Sequence, residues 1–160
     1  MSGIIDPQGF RLNVGIIVAN NEGLLLWAKR VGNKDAWQFP QGGIDRREPT
    51  RQAMVRELKE ELGLEESDIE VLAESKTWLK YHLPKKYQRR GQKPLCIGQK
   101  QKWFLLRLIS DESCIQLDAS EKPEFDEWKW VDYWYPAEHV IDFKRDVYQK
   151  VLKEFSSKIQ

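Results

Sequence analysis

Cysteine is scarce in this sequence: Cys96 and Cys114 are the only two in 160 residues. Two thiols without metal-ligand spacing exclude a disulfide scaffold and a cysteine metal site, and they fit a reducing compartment. Long apolar runs are missing as well. No stretch reaches the ~18 residues that cross a bilayer, and the start, MSGIIDPQGF, has neither the basic residues nor the apolar core of a secretory signal. A cytoplasmic protein with no membrane segment is therefore expected. The two histidines, His82 and His139, stand far apart, and neither is assigned a role. Internal repeats, linkers and low-complexity tracts are also lacking, so residues 1–160 are expected to form one domain. Hydrophobic content of 41% with 32% charged residues suits a soluble globular fold, and the length allows a substantial core.

A net charge of +1 argues against general polyanion binding, yet it conceals a local absence. Between Ser75 and Ser110 there are ten Lys or Arg and no Asp or Glu, which leaves the remainder at −9. A segment of this kind attracts a polyanion locally. Seven Trp are many for this length, enough to make stacking surfaces for bases worth seeking.

One stretch, Gly42 to Leu64, reads GGIDRREPTRQAMVRELKEELGL. Taken as a helix, it places Glu57, Glu60 and Glu61 within roughly a quarter of the circumference around Ala53. Met54, Val55, Leu58 and Leu62 take the opposite side and can bury. Like charges three and four residues apart repel by about a few tenths of a kcal/mol per pair, so a cation is expected among them. Hard cations such as Mg²⁺ or Mn²⁺ take carboxylate oxygens. Pro49 is expected as the first helical residue with Glu48 at or beside the N-cap, and Gly63 as the left-handed residue that ends the helix. Gly42 and Gly43 let backbone come close to an ion or a phosphate.

The stretch fits the pattern G-x5-E-x7-R-E-U-x-E-E-x-G-U, where U is aliphatic, through Gly42, Glu48, Arg56, Glu57, Leu58, Glu60, Glu61, Gly63 and Leu64. Seven fixed residues at ordinary usage make a chance match on the order of one in a million. It resembles the signature box of the Nudix hydrolases. That resemblance implies an α/β/α sandwich with a mixed β-sheet between helices, and metal ions, two or three of Mg²⁺ or Mn²⁺, held by Glu57, Glu60 and Glu61 with a contribution from Gly42. Many such enzymes supply one more carboxylate from a loop after the box. Here that residue is Glu124 in DASEKPEFD, for which plain solvation of an acidic loop is the alternative. Glu60 or Glu124, if not saturated by metal, could accept the proton of the attacking water. Arg56 is expected to pair with Glu48 and position the box, with Gly43 and Gly63 as structural members.

Around the box, the pattern gives strands over Arg11–Asn20, Leu24–Val31, Ile69–Lys80, Lys102–Ile109 and Trp128–Val131, with a short extended piece at Trp37–Pro40. A helical turn is read at Pro136–Val140 and a last helix at Phe143–Phe155. Leu83 to Gln101 reads as a long basic loop, more often functional or mobile than structural.

Strings outside the box, FRLNVGIIV, WQFPQGGI, WLKYHLPK, KPLCIGQKQKWFLL, PEFDEWKWV, YWYP and FKRDVY, resemble one branch, the bacterial RNA pyrophosphohydrolases and the similar dinucleoside polyphosphate hydrolases. The GQKQKWF and FKRDVY strings favour the RNA activity. The implied reaction removes phosphate or pyrophosphate from 5′-diphosphate or 5′-triphosphate RNA, leaving a monophosphate and triggering mRNA decay. Arg11 and Arg30, with Lys29 assisting, could clamp phosphates, or else be solvated charges beside strands. Tyr81, Ile141 and Phe143 could receive bases, although Phe143 also fits an apolar helix stripe; Lys144 and Arg145 could reach the RNA backbone. Lys85, Lys86, Arg89 and Arg90 would add attraction from the loop. Two other functions stay open: a diadenosine polyphosphate hydrolase, and a non-catalytic RNA-binding module.

Overall fold

The computed structural model describes residues 3–89, 91 and 93–159; Arg90 of the basic loop lies outside them. Its strands are β1 (Phe10–Ala19), β2 (Leu25–Arg30), β3 (Trp37–Gln38), β4 (Gln41–Gly43), β5 (Ile69–Glu74), β6 (Leu79–His82), β7 (Gly98–Leu108) and β8 (Phe125–Val131). Helix α1 (Thr50–Leu62) follows β4, and α2 (Tyr135–His139) and α3 (Arg145–Phe155) close the chain. β1 and β7 pair in parallel without a break from Phe10↔Gly98 to Ala19↔Arg107, and the other ladders are antiparallel.

Alternation along these two central strands makes two cores. Val14, Ile16 and Val18 of β1 meet Phe104, Leu106 and Leu108 of β7 beneath Met54, Leu58 and Leu62 of α1. On the opposite face Ile17, Trp103 and Leu105 pack against Val147, Tyr148, Val151 and Phe155 of α3. The result is an α/β/α sandwich with a mixed sheet in the middle.

The sheet opens at one end, and this positions the site. One edge of β1 pairs with β4 over Asn13–Gly15 and meets β2 only at Ala19↔Leu25. Along the outer edge of β7, β6 pairs over Gly98–Gln101 and β5 over Phe104–Leu108. The expected single strand over 69–80 is therefore two. Ser75 breaks it: its N–H donates to the Trp103 carbonyl while its hydroxyl accepts from the Trp103 N–H and donates to the Thr77 carbonyl. β7 begins four residues before the expected Lys102, because Gly98–Gln101 is polar in sequence but paired on both sides. β8 likewise starts at Phe125, and residues 142–144 form a 3-10 turn ahead of α3. Pro49 sits at the N-cap of α1 rather than inside it, and the Glu48 carboxylate caps nothing, being turned to Arg56.

Candidate active site

α1 ends where Gly63 adopts φ 69° and donates its N–H to the Lys59 carbonyl, a conformation a residue with Cβ resists. Within the helix the three carboxylates separate. Glu57 and Glu61 are buried, each 6% exposed, against β4. A Cβ on Gly42 would overlap the Glu57 carboxylate, so glycine there lets the carboxylate lie flat on the strand. Glu60 faces solvent with half its side chain exposed and lies 3.6 Å from Arg56. Helical spacing is common to all three, but depth is set by β4 on one side and Arg56 on the other.

Arg56 fixes the geometry of the box. Its Nε and Nη2 donate to the two Glu48 oxygens, both at 2.9 Å, its Nη1 donates to Glu57 at 2.8 Å, and its Nη2 donates to the Gly43 carbonyl at 2.8 Å. The hydrogen bonds from Arg56 hold the Glu48 carboxyl below its ordinary range. Burial pushes the other two carboxyls the opposite way. Glu61 is pushed up to about 9 by burial and by the charges of Glu124 and Glu57, and Glu57 is raised by burial against the pull of Arg56.

Glu124, just before β8, lies across from Glu61 on the wall of a cavity of about 650 Å³. That volume is in the range of small-molecule pockets. The cavity lining includes Glu61, Glu124, Arg30, Arg89, Tyr81, Phe143, Ile141 and Lys144. A groove of about 340 Å³ continues from it, adding Arg11 and Cys96 and sharing Arg30, Arg89, Gln99 and Glu124. Arg11 and Arg30, distant in sequence, are thus brought together, and Arg89 joins them.

Lys29 is not brought there. A bulge between Lys29 and Arg30 re-aims the strand, and the Lys29 ammonium pairs with Asp126 at 2.6 Å. Arg145 pairs with Asp142 at 3.1 Å and does not line the cavity. Lys144 is buried, donates to the Gln38 side chain at 3.1 Å, and is pushed down to about 7 by burial and by Arg30. The Phe143 ring bridges Tyr81 and Tyr87, at centroid distances of 5.7 and 5.5 Å. Ile141 is 47% exposed at the rim. Lys85 and Lys86 lie outside the lining. Sequence reasoning assigned no site role to Tyr87, Gln41, Gln99 or His139, all on the cavity wall. The recurring glutamines in WQFPQGG and GQKQKWF were the available signal.

The NUDIX domain family matches residues 9–155. The chain belongs to the Nudix family. Among curated relatives of this Nudix domain, the RNA pyrophosphohydrolase of Shewanella loihica is 58% identical, over 96% of this chain and 87% of its own length. The RNA pyrophosphohydrolase of Coxiella burnetii is 55% identical, over 98% of this chain and 69% of its own length. The E. coli dihydroneopterin triphosphate pyrophosphohydrolase shares the fold, with a TM-score of 0.71 at 18% identity, over 96% of this chain and 99% of that one. A C. elegans Ap4A hydrolase does so with a TM-score of 0.64 at 17% identity, over 91% and 98%.

Nudix hydrolases generally use divalent metals, and the donors of this Nudix domain fit one. Among the described residues Glu61 Oε2 is buried with no hydrogen-bond partner beside a second buried carboxyl, and a divalent cation there would offset the burial and the repulsion from neighbouring carboxylates that push both carboxyls up. Among the described residues no three side chains enclose an ion unaided. Mg²⁺ is commonly held by one or two carboxylates with substrate phosphates and water completing the shell, which matches this incomplete cage. Among the described residues no helix is long and apolar enough to cross a membrane.

Proposed function

We propose that this enzyme is an RNA pyrophosphohydrolase that converts 5′-triphosphate or 5′-diphosphate RNA ends to 5′-monophosphate in the cytoplasm, preparing mRNA for decay. The observation that carries this reading is what shares one lining: Glu61 and Glu124 with Arg30, Arg89, Tyr81 and Phe143, and an adjoining groove that adds Arg11. A metal-bound terminal polyphosphate on a base-bearing chain calls for carboxylates, cations and aromatic surface together. The curated relatives with 55–58% identity support it by name.

In this reading Glu57 and Glu61, aided by Glu60, Glu124 and the Gly42 backbone, would hold two or three Mg²⁺ or Mn²⁺ ions. When bound, such ions neutralise polyphosphate charge and make water a better nucleophile. The chain's own groups do the rest. Arg56 and Glu48 lock Glu57 in place. Arg11, Arg30 and Arg89 grip phosphate oxygens and hold the scissile bond against the carboxylates. Glu124 lines both cavity and groove, whereas Glu60 is held at the surface beside Arg56, so Glu124 is the better placed to accept the proton of the attacking water. Phe143 and Ile141 receive the first bases, with Lys144 and the buried Tyr81 behind them.

The test is a side-by-side assay on triphosphate RNA, diphosphate RNA and diadenosine tetraphosphate with Mg²⁺. Conversion of the RNA ends to monophosphate with the higher kcat/KM is expected. Inertness on RNA, or a clear preference for the dinucleotide, would overturn the assignment in favour of a dinucleoside polyphosphate hydrolase.

A further inference from the structure

Four of the strings that mark the branch place polar side chains in two short buried hydrogen-bond chains. FRLNVG supplies Asn13, WQFPQGG supplies Gln41, WLKYHLPK supplies Tyr81, and GQKQKWF supplies Gln99 and Gln101. Asn13 and Gln101 are register partners on β1 and β7, each with no exposure at all. Two chains of hydrogen bonds run outward from this pair. Asn13 Nδ2 donates to Gln99 Oε1 at 2.8 Å. Gln101 Nε2 donates to Gln41 Oε1 at 3.1 Å, and Gln41 Nε2 donates to the Tyr81 hydroxyl at 3.2 Å.

Both chains have the same polarity. Because Gln99 Oε1 is occupied, the half of its amide left for the cavity is the NH₂ group. Because the Tyr81 oxygen accepts from Gln41, its own proton is free to be donated. The wall therefore presents donors, which suits phosphate oxygens. At the deep end the opposite holds: among the described residues, Asn13 Oδ1 and Gln101 Oε1 are buried acceptors with no donor. One water has two protons to give, enough for both.

We propose that Asn13 and Gln101 are positioning residues which, tied together by one buried water, fix the direction of both chains so that Gln99 and Tyr81 face the substrate polyphosphate as donors. This rests on the RNA pyrophosphohydrolase reading above. A core that served packing alone would place apolar side chains at two positions with no exposure, since unpaired buried acceptors cost stability. Neither Asn13 nor Gln101 lines the cavity, so any effect on substrate passes through Gln99, Gln41 and Tyr81.

The test uses Gln101→Met, Asn13→Leu, Tyr81→Phe and the double variant Gln101→Met with Tyr81→Phe. Melting temperatures of the first two should change little, because loss of one orphaned acceptor offsets the acceptor newly orphaned on Gln41 or Gln99. Their kcat/KM on triphosphate RNA should fall about tenfold, mostly through KM, the cost of losing one oriented hydrogen bond to a charged group. The double variant should lose no more than the worse single, since both changes cut the same chain. Unchanged kcat/KM in the singles, or a double loss equal to the product of the two, would overturn the proposal. So would an activity loss that merely tracks a lower melting temperature. If the parent is inert on RNA, the functional reading fails by itself. The network is then judged by the melting temperatures of the same variants, where coupling supports it and strict additivity refutes it. A crystal structure with no water between the two orphaned oxygens overturns the bridging role.

Discussion

Gly42→Ala tests whether the box is built on contact between β4 and the Glu57 carboxylate. The backbone of Gly42 is ordinary strand, so alanine introduces no conformational strain of its own; the damage comes from its Cβ, which would occupy the space of the carboxylate. Glu57 must then move by an ångström or more and release Arg56 Nη1, now 2.8 Å away. Overpacking costs about 1–3 kcal/mol, and a lost hydrogen bond between charged groups about 1.5–3 kcal/mol. A total of roughly 3 kcal/mol corresponds to a fall in melting temperature on the order of 10 °C for a domain of this size. Displacing a group in the reacting centre by about 1 Å costs on the order of a hundredfold in rate. Calorimetry and initial rates on triphosphate RNA measure both. The decisive experiment is a double-mutant cycle with Glu57→Ala, which removes the obstructing carboxylate. In that background Gly42→Ala should cost almost nothing in stability, giving a coupling of about 3 kcal/mol. If the two changes add, or if Gly42→Ala alone keeps normal turnover, the contact is not what the glycine is for.

Glu61→Gln keeps shape and removes charge, so kcat should fall by about a hundredfold or more while the melting temperature holds or rises; normal turnover would remove Glu61 from the metal site. Lys144→Met should change the pH dependence of stability. Burial pushes Lys144 down to about 7 in the folded protein, whereas an unfolded lysine titrates near 10.4. Between those values the unfolded chain binds the extra proton, so stability rises with pH by about 1.4 kcal/mol per unit and the burial cost is fully felt below pH 7. Urea unfolding at pH 7, 8 and 9 should show that rise in the parent and a flatter line in the variant, and parallel lines would refute it. Of the loop cations, Arg89→Gln should weaken RNA binding most and reduce the slope of log K against log salt by about 0.7, because Arg89 lines both cavity and groove while Lys85 and Lys86 do not. Equal effects from all three, read by fluorescence anisotropy across salt, would show that the loop acts only as a diffuse positive charge.

The carboxylate-bearing helix was legible because its information is contiguous: periodicity, a left-handed glycine and charge spacing all lie within Gly42–Leu64. Sequence could not show how deep each carboxylate sits. Glu57 is buried against Gly42 of β4, Glu61 is buried one turn on, and Glu60 is held outward by a guanidinium, a distinction that depends on strand and helix together. Gly98–Gln101 read as loop because its residues are polar, yet pairing with β1 and β6 overrides local preference. Lys29 and Arg30 were indistinguishable neighbours until a bulge sent one to Asp126 and the other to the cavity.

The parallel ladder between β1 and β7 separates the two halves of the site in time. Glu57, Glu61, Glu48 and Arg56 meet through contacts within one short segment, whereas Asn13 and Gln99 meet across 86 residues of chain. Closing so long a loop is slow compared with forming a helix. During synthesis the acidic helix will leave the ribosome well before the strand that completes the wall beside it. The nascent chain therefore carries the helix carboxylates before it has the Gln99 and Gln101 wall beside them.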